Sequence, residues 1–293
     1  MSKWMLEDFS PVQVVWLRYS TASLTFLILS GAMHLGQKKL GLVWPKKRRD
    51  LLFLLLMGAL TYCYSPLLQI TGLSYSNVSE NALIVAIEPI LTVFLAYLLF
   101  RERVEFFEFI GLLLALVGFN LLSGFSLETR AFHLSEHFTG NLLILFSLLG
   151  EASFTVFGSQ LARRYRPSAI FGTSLLLGWV FLTLSMCFLE KSVLQFSYWS
   201  SFLGQFSWKS LCALLWLGPL GTAGGYLYAL QALSQASVVS VTLLLFVQPI
   251  GGVLLGSIFY KEQLNSEQLW GSFLIGIALL FSVVVRLKKR PND

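Results

Sequence analysis

Nine apolar stretches, each close to the length of a membrane-crossing helix, follow one another along the 293-residue chain. About 20 helical residues cross the hydrocarbon core of a bilayer, which accepts backbone only where every N–H and C=O is satisfied internally. With 56% hydrophobic and 12% charged residues, the chain also has too little polar surface for a soluble globule of its size. The sequence therefore predicts an all-α polytopic membrane protein with nine transmembrane helices. The predicted spans are residues 11–33, 51–73, 78–100, 106–125, 140–162, 168–189, 211–233, 238–260 and 267–285.

The basic residues between these stretches alternate in number along the chain. Fifteen Lys and Arg follow the first, third, fifth and ninth stretches, whereas five lie on the other side of the membrane. Because cytoplasmic loops accumulate Lys and Arg, this bias predicts a cytoplasmic C-terminus in the cell membrane, with a bacterial inner membrane as the favoured setting. The net charge of +6 is then explained by clusters that orient the chain in the membrane. We therefore expect a lipid bilayer around the chain and no nucleic-acid partner.

An internal repeat appears when the chain is shifted by 160 residues. Gly58 then aligns with Gly218, Pro89 with Pro249, and the pairs Glu102/Glu262 and Gly111/Gly271 also coincide. Five spans separate equivalent positions, and because an odd number reverses direction through the membrane, the repeats are predicted to be inverted. The predicted domains are a first repeat of four helices at 1–125, an extracytoplasmic linker at 126–138, a second repeat of five helices at 139–286 and a basic tail at 287–293.

The repeat offset also predicts a helix that precedes this sequence. The partner of the fifth stretch would fall before Met1, so the parent plan has ten helices, as two inverted repeats of five. We hypothesise an upstream start codon, whose reading frame would encode an apolar stretch of about 20 residues.

Glu88 and Gln248 are repeat-equivalent polar residues near the middle of their spans, and each is followed by proline. Pro89 and Pro249 each remove a helix hydrogen bond, and paired helix breaks at mid-depth are typical of the binding sites of secondary carriers. Glu88 is therefore the leading candidate for solute binding or proton coupling. The alternative is that both prolines only bend their helices and that Glu88 bonds to a neighbour.

Glu151 and Arg18 are two further charged residues inside predicted spans. Glu151 could accept a proton or neutralise a cationic solute, with a purely structural pairing as the alternative. Arg18 could pair with Glu88 or with an anionic solute, or could instead extend to the interface or form a structural ion pair.

Polar-tipped aromatic residues could line a cavity. Trp179 and Tyr226 offer stacking surface and one hydrogen bond each, although packing or interfacial anchoring explains such residues more simply. His133, Glu136 and His137 have the spacing of metal ligands but lie in a predicted loop with no further ligand, so no metal and no cofactor is expected. Two Gly-x-x-x-Gly motifs favour packing within the bundle, with a homodimer as the alternative.

Several short stretches resemble the EamA-type members of the drug/metabolite transporter superfamily. They are Ser10-Pro11, Trp16-Leu17-Arg18-Tyr19, Pro89, Arg101-Glu102-Arg103, Gly111 to Gly118, Gly225-Tyr226, Ala232-Leu233, Pro249, Lys261-Glu262 and Gly271. The resemblance implies ten helices in two inverted five-helix repeats, of which nine are present here, and a secondary carrier of small metabolites. It does not identify the solute, because members differ widely in what they carry.

Taken together, the sequence predicts a secondary transporter that moves a small solute by alternating access. Export is the favoured direction and a proton the candidate coupling ion. A membrane sensor that binds without transport is the alternative, because the same pocket would serve both. An intramembrane enzyme would need a nucleophile with a base, or a His-rich metal set, within the spans. It fits less well, because all three His residues lie at helix ends or in loops.

Overall fold

A computed structural model describes residues 2–35, 41–76, 81, 84–85, 87–101, 106–122, 138–189, 204–244 and 266–289, and within these ranges the chain forms helices and no strand. We number the helices in chain order. They are α1 (Ser2–Met5), α2 (Pro11–Leu35), α3 (Arg48–Ser74), α4 (Glu88–Phe100), α5 (Phe106–Leu122), α6 (Phe138–Ala162), α7 (Pro167–Leu189), α8 (Trp208–Leu233), α9 (Val238–Leu244) and α10 (Ser266–Lys289).

Five of these helices are long and apolar enough to cross a membrane. They are α2, α3, α6, α7 and α8, and the described parts of α4, α5 and α10 contribute shorter apolar helices. The prediction of an all-α, multi-pass membrane protein is confirmed at this level. The count of nine spans and the inverted repeat stay predictions.

The long helices α3 and α8 share an irregularity in the middle. A π-helical segment runs through Leu60–Tyr64 in α3 and through Trp216–Gly224 in α8. Pro66 follows the first segment and Pro219 lies inside the second, and a proline ring removes a hydrogen bond from the ladder of an α-helix. The segment in α3 coincides with part of the segment in α8 when the chain is shifted by 160 residues, the offset predicted for the repeat.

The chain divides into two compact units, each built from both halves of the sequence. The first unit comprises Met1–Asn81 and Phe138–Gln235, and therefore holds all five long helices. Glycines allow these helices to lie close together. A Cβ on Gly72 of α3 would come within 2.6 Å of the Gly140 carbonyl oxygen of α6, and a Cβ on Gly140 would come within 2.7 Å of the Gly72 carbonyl oxygen.

Polar contacts fix both ends of this first unit. At the start of α3 the buried carboxylate of Asp50 accepts hydrogen bonds from Arg164 (2.7 Å) and from the Tyr165 hydroxyl (3.0 Å), which lie between α6 and α7. At the start of α8 the Asp8 carboxylate accepts hydrogen bonds from the hydroxyls of Ser207 and Ser210. These two hydroxyls hold the pKa of the Asp8 carboxyl below its usual range.

The second unit comprises Ala82–His137 and Ala236–Asp293, and contains α4, α5, α9 and α10. Its buried core joins α5, α9 and α10 through Leu112, Ala115, Val239, Leu243, Ile275 and Ala278. Helices α5 and α10 approach closely at Gly118, where a Cβ would come within 2.7 Å of the Gly271 carbonyl oxygen.

Candidate functional site

The carboxylate of Glu151 lies near the middle of α6, inside the first unit, and is held by hydroxyl groups from two other helices. Ser65 of α3 donates to Oε1 at 3.0 Å. The hydroxyl of Tyr226 in α8 lies 3.2 Å from Oε1 and 3.0 Å from Oε2. Three helices therefore meet at one carboxylate, and both of its oxygens accept hydrogen bonds, as a partly buried charge requires.

The residue before this carboxylate explains how α6 can come so close to α3. Gly150 has no side chain, and a Cβ there would come within 2.5 Å of both the Leu60 carbonyl oxygen and the Ser65 Cβ. Any larger residue would push α6 away from the π-helical segment of α3. Thr61 of that segment donates to the Gly150 carbonyl oxygen at 3.1 Å, which ties the two backbones together beside Glu151.

Arg18 of α2 contributes a second charge to the same region, without a direct ion pair to the first. Its Nε donates to the Thr222 hydroxyl of α8 at 2.7 Å, and that hydroxyl donates to the Leu217 carbonyl oxygen at 2.8 Å. Thr222 is thus oriented as an acceptor. Glu151 attracts Arg18 electrostatically, yet in the part of the chain that the structure describes no carboxylate oxygen lies within 4.0 Å of the Arg18 nitrogens.

Aromatic rings pack around these charges. The ring of Tyr226 lies 4.8 Å from the ring of Phe154 and 5.2 Å from that of Tyr62, both measured between centroids and both nearly perpendicular. Tyr62 in turn lies 5.8 Å from Tyr19, the neighbour of Arg18 in sequence. Such edge-to-face pairs fix the positions of the rings next to the two charged groups.

Tyr19 and Tyr62 are fully buried, and their hydroxyls make no hydrogen bond of ordinary length to a described residue. Tyr226 lies near the hydroxyl of Tyr19, and Ser174 lies near that of Tyr62. A buried hydroxyl without a partner costs free energy, and is therefore uncommon in a folded protein.

Trp179, another residue singled out from the sequence, has its partner on a different helix from those that hold Glu151. Its indole Nε1 of α7 donates to the Ser20 hydroxyl of α2 at 2.9 Å. Trp16 of α2 donates to Thr183 of α7 at 3.2 Å, so two reciprocal hydrogen bonds join these two helices. Trp179 thus serves the packing of α2 on α7, and its part in binding stays a prediction.

The Glu88 pair lies partly outside the described residues. Glu88 is partly buried and begins α4 in the second unit, with the buried Pro89 in the first turn of that helix. Gln248, Pro249, His133, Glu136 and His137 lie outside the described residues. Within the described ranges no three His, Cys, Asp or Glu residues come together as metal ligands would.

The structure adds residues that the sequence did not single out. Ser65 and Thr222 bind the two charges, yet hydroxyl residues are common in apolar helices and usually bond to their own backbone. The predicted repeat could have drawn attention to Thr222, because a shift of 160 residues pairs it with Tyr62 of α3, a position with a much larger side chain.

Comparison with known proteins shows which family this arrangement belongs to. The model of the EamA-like transporter family matches residues 1–124 and 138–284. The chain belongs to the EamA-like transporter family. An uncharacterized transporter of Archaeoglobus fulgidus is 23% identical to this family member over 98% of the chain and 92% of the relative. The uncharacterized transporter YetK of Bacillus subtilis is 25% identical over 100% of the chain and 83% of the relative.

A solved crystal structure shares the fold of this EamA-like protein. It superposes with a TM-score of 0.70 at 18% sequence identity, over 94% of this chain and 90% of the other.

Proposed function

We propose that this EamA-like protein is a proton-coupled secondary transporter that exports a small solute by alternating access, with Glu151 as the proton-binding group. The observation that carries the proposal is the carboxylate at mid-helix, held by Ser65 and Tyr226 and attracted by Arg18. Family membership and the names of the relatives support the transporter class.

The chemistry of the site suits a group that gains and loses a proton. Hydrogen bonds from Ser65 and Tyr226 stabilise the ionised carboxylate, whereas burial in an apolar bundle stabilises the protonated acid. Opening the site to water, or bringing in a charged solute, changes the balance between these two effects. A change of access and a change of protonation are then linked in one step.

Transport can be tested in sealed inside-out membrane vesicles that contain the full chain. Respiration acidifies the interior of such vesicles, so a proton-coupled exporter should accumulate radiolabelled metabolites from a screened panel. Accumulation should exceed that of vesicles lacking the chain and should collapse when a protonophore is added. A chain that binds a metabolite from the panel but never accumulates any would be a sensor.

Glu151→Gln is the decisive variant for the proton role. The amide oxygen can still accept hydrogen bonds from Tyr226 and Ser65, but the side chain cannot bind or release a proton at physiological pH. We expect accumulation driven by the pH gradient to be abolished, while exchange of labelled for unlabelled solute persists.

Two further variants accompany this experiment. Glu7→Gln makes the same chemical change at an exposed acid before α2 and should transport normally. Glu88→Gln tests the prediction from the sequence that Glu88 couples transport to protons. If that prediction is right, this variant should also lose gradient-driven transport. Normal accumulation by Glu151→Gln in an intact gradient would remove Glu151 from the coupling mechanism.

A further inference from the structure

The guanidinium of Arg18 has N–H donors that make no hydrogen bond to any described residue. Among the described residues only Thr222 binds the guanidinium, through Nε, and this bond fixes the plane of the group. No hydrogen bond to a described residue involves the two terminal nitrogens, and these nitrogens are the ones that bind a carboxylate in the paired, bidentate geometry.

Glu151, the acid that acts on Arg18 among the described residues, does not form an ion pair with this guanidinium. Glu151 lies close enough to attract Arg18, but its two oxygens accept hydrogen bonds from Ser65 and Tyr226 and form no ion pair with it. A positive charge far inside an apolar helix is costly unless a counter-charge reaches it. An anion that reached the guanidinium would form the direct ion pair that Arg18 lacks among the described residues.

Two buried hydroxyls belong to the cluster of aromatic rings that adjoins Arg18. Tyr19 follows Arg18 in α2, with its ring centroid 5.5 Å from the guanidinium carbon, and Tyr62 packs on Tyr19. Both hydroxyls are buried and make no hydrogen bond of ordinary length to a described residue, with Tyr226 near the first and Ser174 near the second. Hydroxyls can donate as well as accept, so these two and the Arg18 nitrogens together form a set of unused donors.

We propose that the transported solute carries a carboxylate, which binds the terminal nitrogens of Arg18 and accepts hydrogen bonds from Tyr19 and Tyr62. That the solute is transported rests on the proposed function. The binding step itself stands on the Arg18 geometry. A carboxylate supplies both the counter-charge and the acceptors that this group of donors lacks, and a neutral solute of the same shape supplies neither.

Binding can be measured on the purified full chain in detergent with three small probes. Phenylacetate carries the carboxylate, phenylacetamide has the same size without the charge, and phenyl phosphate carries a different oxyanion. We expect phenylacetate to raise the melting temperature and to bind at least about tenfold more tightly than phenylacetamide. Tighter binding of phenyl phosphate than of phenylacetate would overturn the assignment to a carboxylate.

Variants separate a binding role from a structural one. Arg18→Gln should lose the preference for phenylacetate, and Arg18→Lys should keep part of it, because lysine keeps the charge but not the fork of two donors. Arg166→Gln, which removes an exposed arginine at the start of α7, should bind as the wild type does.

Tyr62→Phe gives a readout that does not depend on a folding defect. Removing an unpartnered buried hydroxyl should leave the melting temperature of the free protein unchanged or higher, while the affinity for phenylacetate falls severalfold. A fall in melting temperature with unchanged affinity would show that the hydroxyl serves the fold alone, and would overturn its part in the site.

The outcomes for binding and for transport are distinguishable. Phenylacetate bound but never accumulated in vesicles would leave the carboxylate site standing and refute the transporter. Transport with equal binding of phenylacetate and phenylacetamide would leave the transporter standing and refute the carboxylate site.

Discussion

At the scale of single residues, the two charges of the first unit are close yet separately bound. Thr222 binds Arg18, whereas Ser65 and Tyr226 bind Glu151. Each charge is therefore bound by hydroxyl groups and not by the other charge. A direct ion pair in an apolar bundle would neutralise both groups and is hard to open. Hydroxyl partners fix the positions of the two charges without pairing them directly.

Tyr226→Phe tests this arrangement at its central hydroxyl. The ring contacts with Tyr62 and Phe154 should be kept, whereas the hydrogen bond that the Tyr226 hydroxyl shares between the two oxygens of the Glu151 carboxylate is lost. Hydrogen bonds to charged groups contribute about 1.5–3 kcal/mol, so the ionised state of Glu151 should be destabilised by roughly that amount. We expect vesicle transport to fall, with an altered dependence on pH. Tyr226→Ala should in addition lower the melting temperature, and wild-type transport by Tyr226→Phe would contradict the role of the hydroxyl.

Part of the site could be predicted from single residues, because a charge in an apolar helix is too costly to be incidental. That cost identified Arg18 and Glu151 from the sequence, and the structure brings both into one unit together with Tyr226. Ser65 and Thr222 could not be predicted, since a hydroxyl is cheap in a helix and its partner depends on how two helices pack. The meeting of Gly150 with Leu60 and Ser65 likewise depends on tertiary structure alone.

At the scale of helices, contacts at positions related by the predicted offset of 160 residues carry different residues in the two halves. Gly58 of α3 lies against α7, where its Cβ would come within 3.3 Å of the Gly178 nitrogen. Its equivalent Gly218 of α8 lies against α2, where its Cβ would come within 3.1 Å of the Arg18 carbonyl oxygen. Arg18 and Gly178 are themselves related by the offset of 160, so one half places an arginine where the other has no side chain.

The opposite exchange occurs on the partner helices. Tyr62 of α3 fills the space at Gly178, whereas its equivalent Thr222 is the smaller residue that faces Arg18. Large and small residues have therefore changed places between the two contacts. The all-helical architecture could be predicted from the sequence, and the repeat stays a prediction. The π-helical segments near these contacts lie beside or around prolines, and a hydrophobic pattern does not reveal such segments.

Gly178→Ala tests whether this exchange positions Tyr62. The added Cβ would lie 2.4 Å from the Tyr62 Cβ and 2.7 Å from the Gly58 carbonyl oxygen, so the helices must move apart. Overpacking of this kind costs about 1–3 kcal/mol, which should lower the melting temperature and weaken phenylacetate binding. Gly31→Ala makes the same change in α2 where no atom lies within 4 Å, and should be neutral or slightly stabilising. Equal melting temperatures for the two variants would contradict the close contact.

At the scale of the whole molecule, repeat-equivalent positions begin α3 and α8, and each is bound by a neighbouring segment. Asp50 of α3 accepts hydrogen bonds from Arg164 and Tyr165, and its equivalent, Ser210 of α8, donates to Asp8. If the repeats are inverted, these two contacts belong to opposite faces of the membrane. One pair of repeat-equivalent positions would then provide hydrogen bonds between helices on each side of the bundle.

The inverted arrangement predicts that Arg49 and Lys209, which are also repeat-equivalent and exposed, face opposite sides of the membrane. Each can be replaced by cysteine in a chain whose Cys63, Cys187 and Cys212 are serine, and labelled with a membrane-impermeant maleimide. Because Lys and Arg accumulate in cytoplasmic loops, Arg49→Cys should react in inside-out vesicles and Lys209→Cys in right-side-out vesicles. Glu7→Cys, exposed before α2, should react from the same side as Lys209→Cys. Labelling of positions 49 and 209 from one side would refute the inversion, because equivalent residues of parallel repeats lie on the same face.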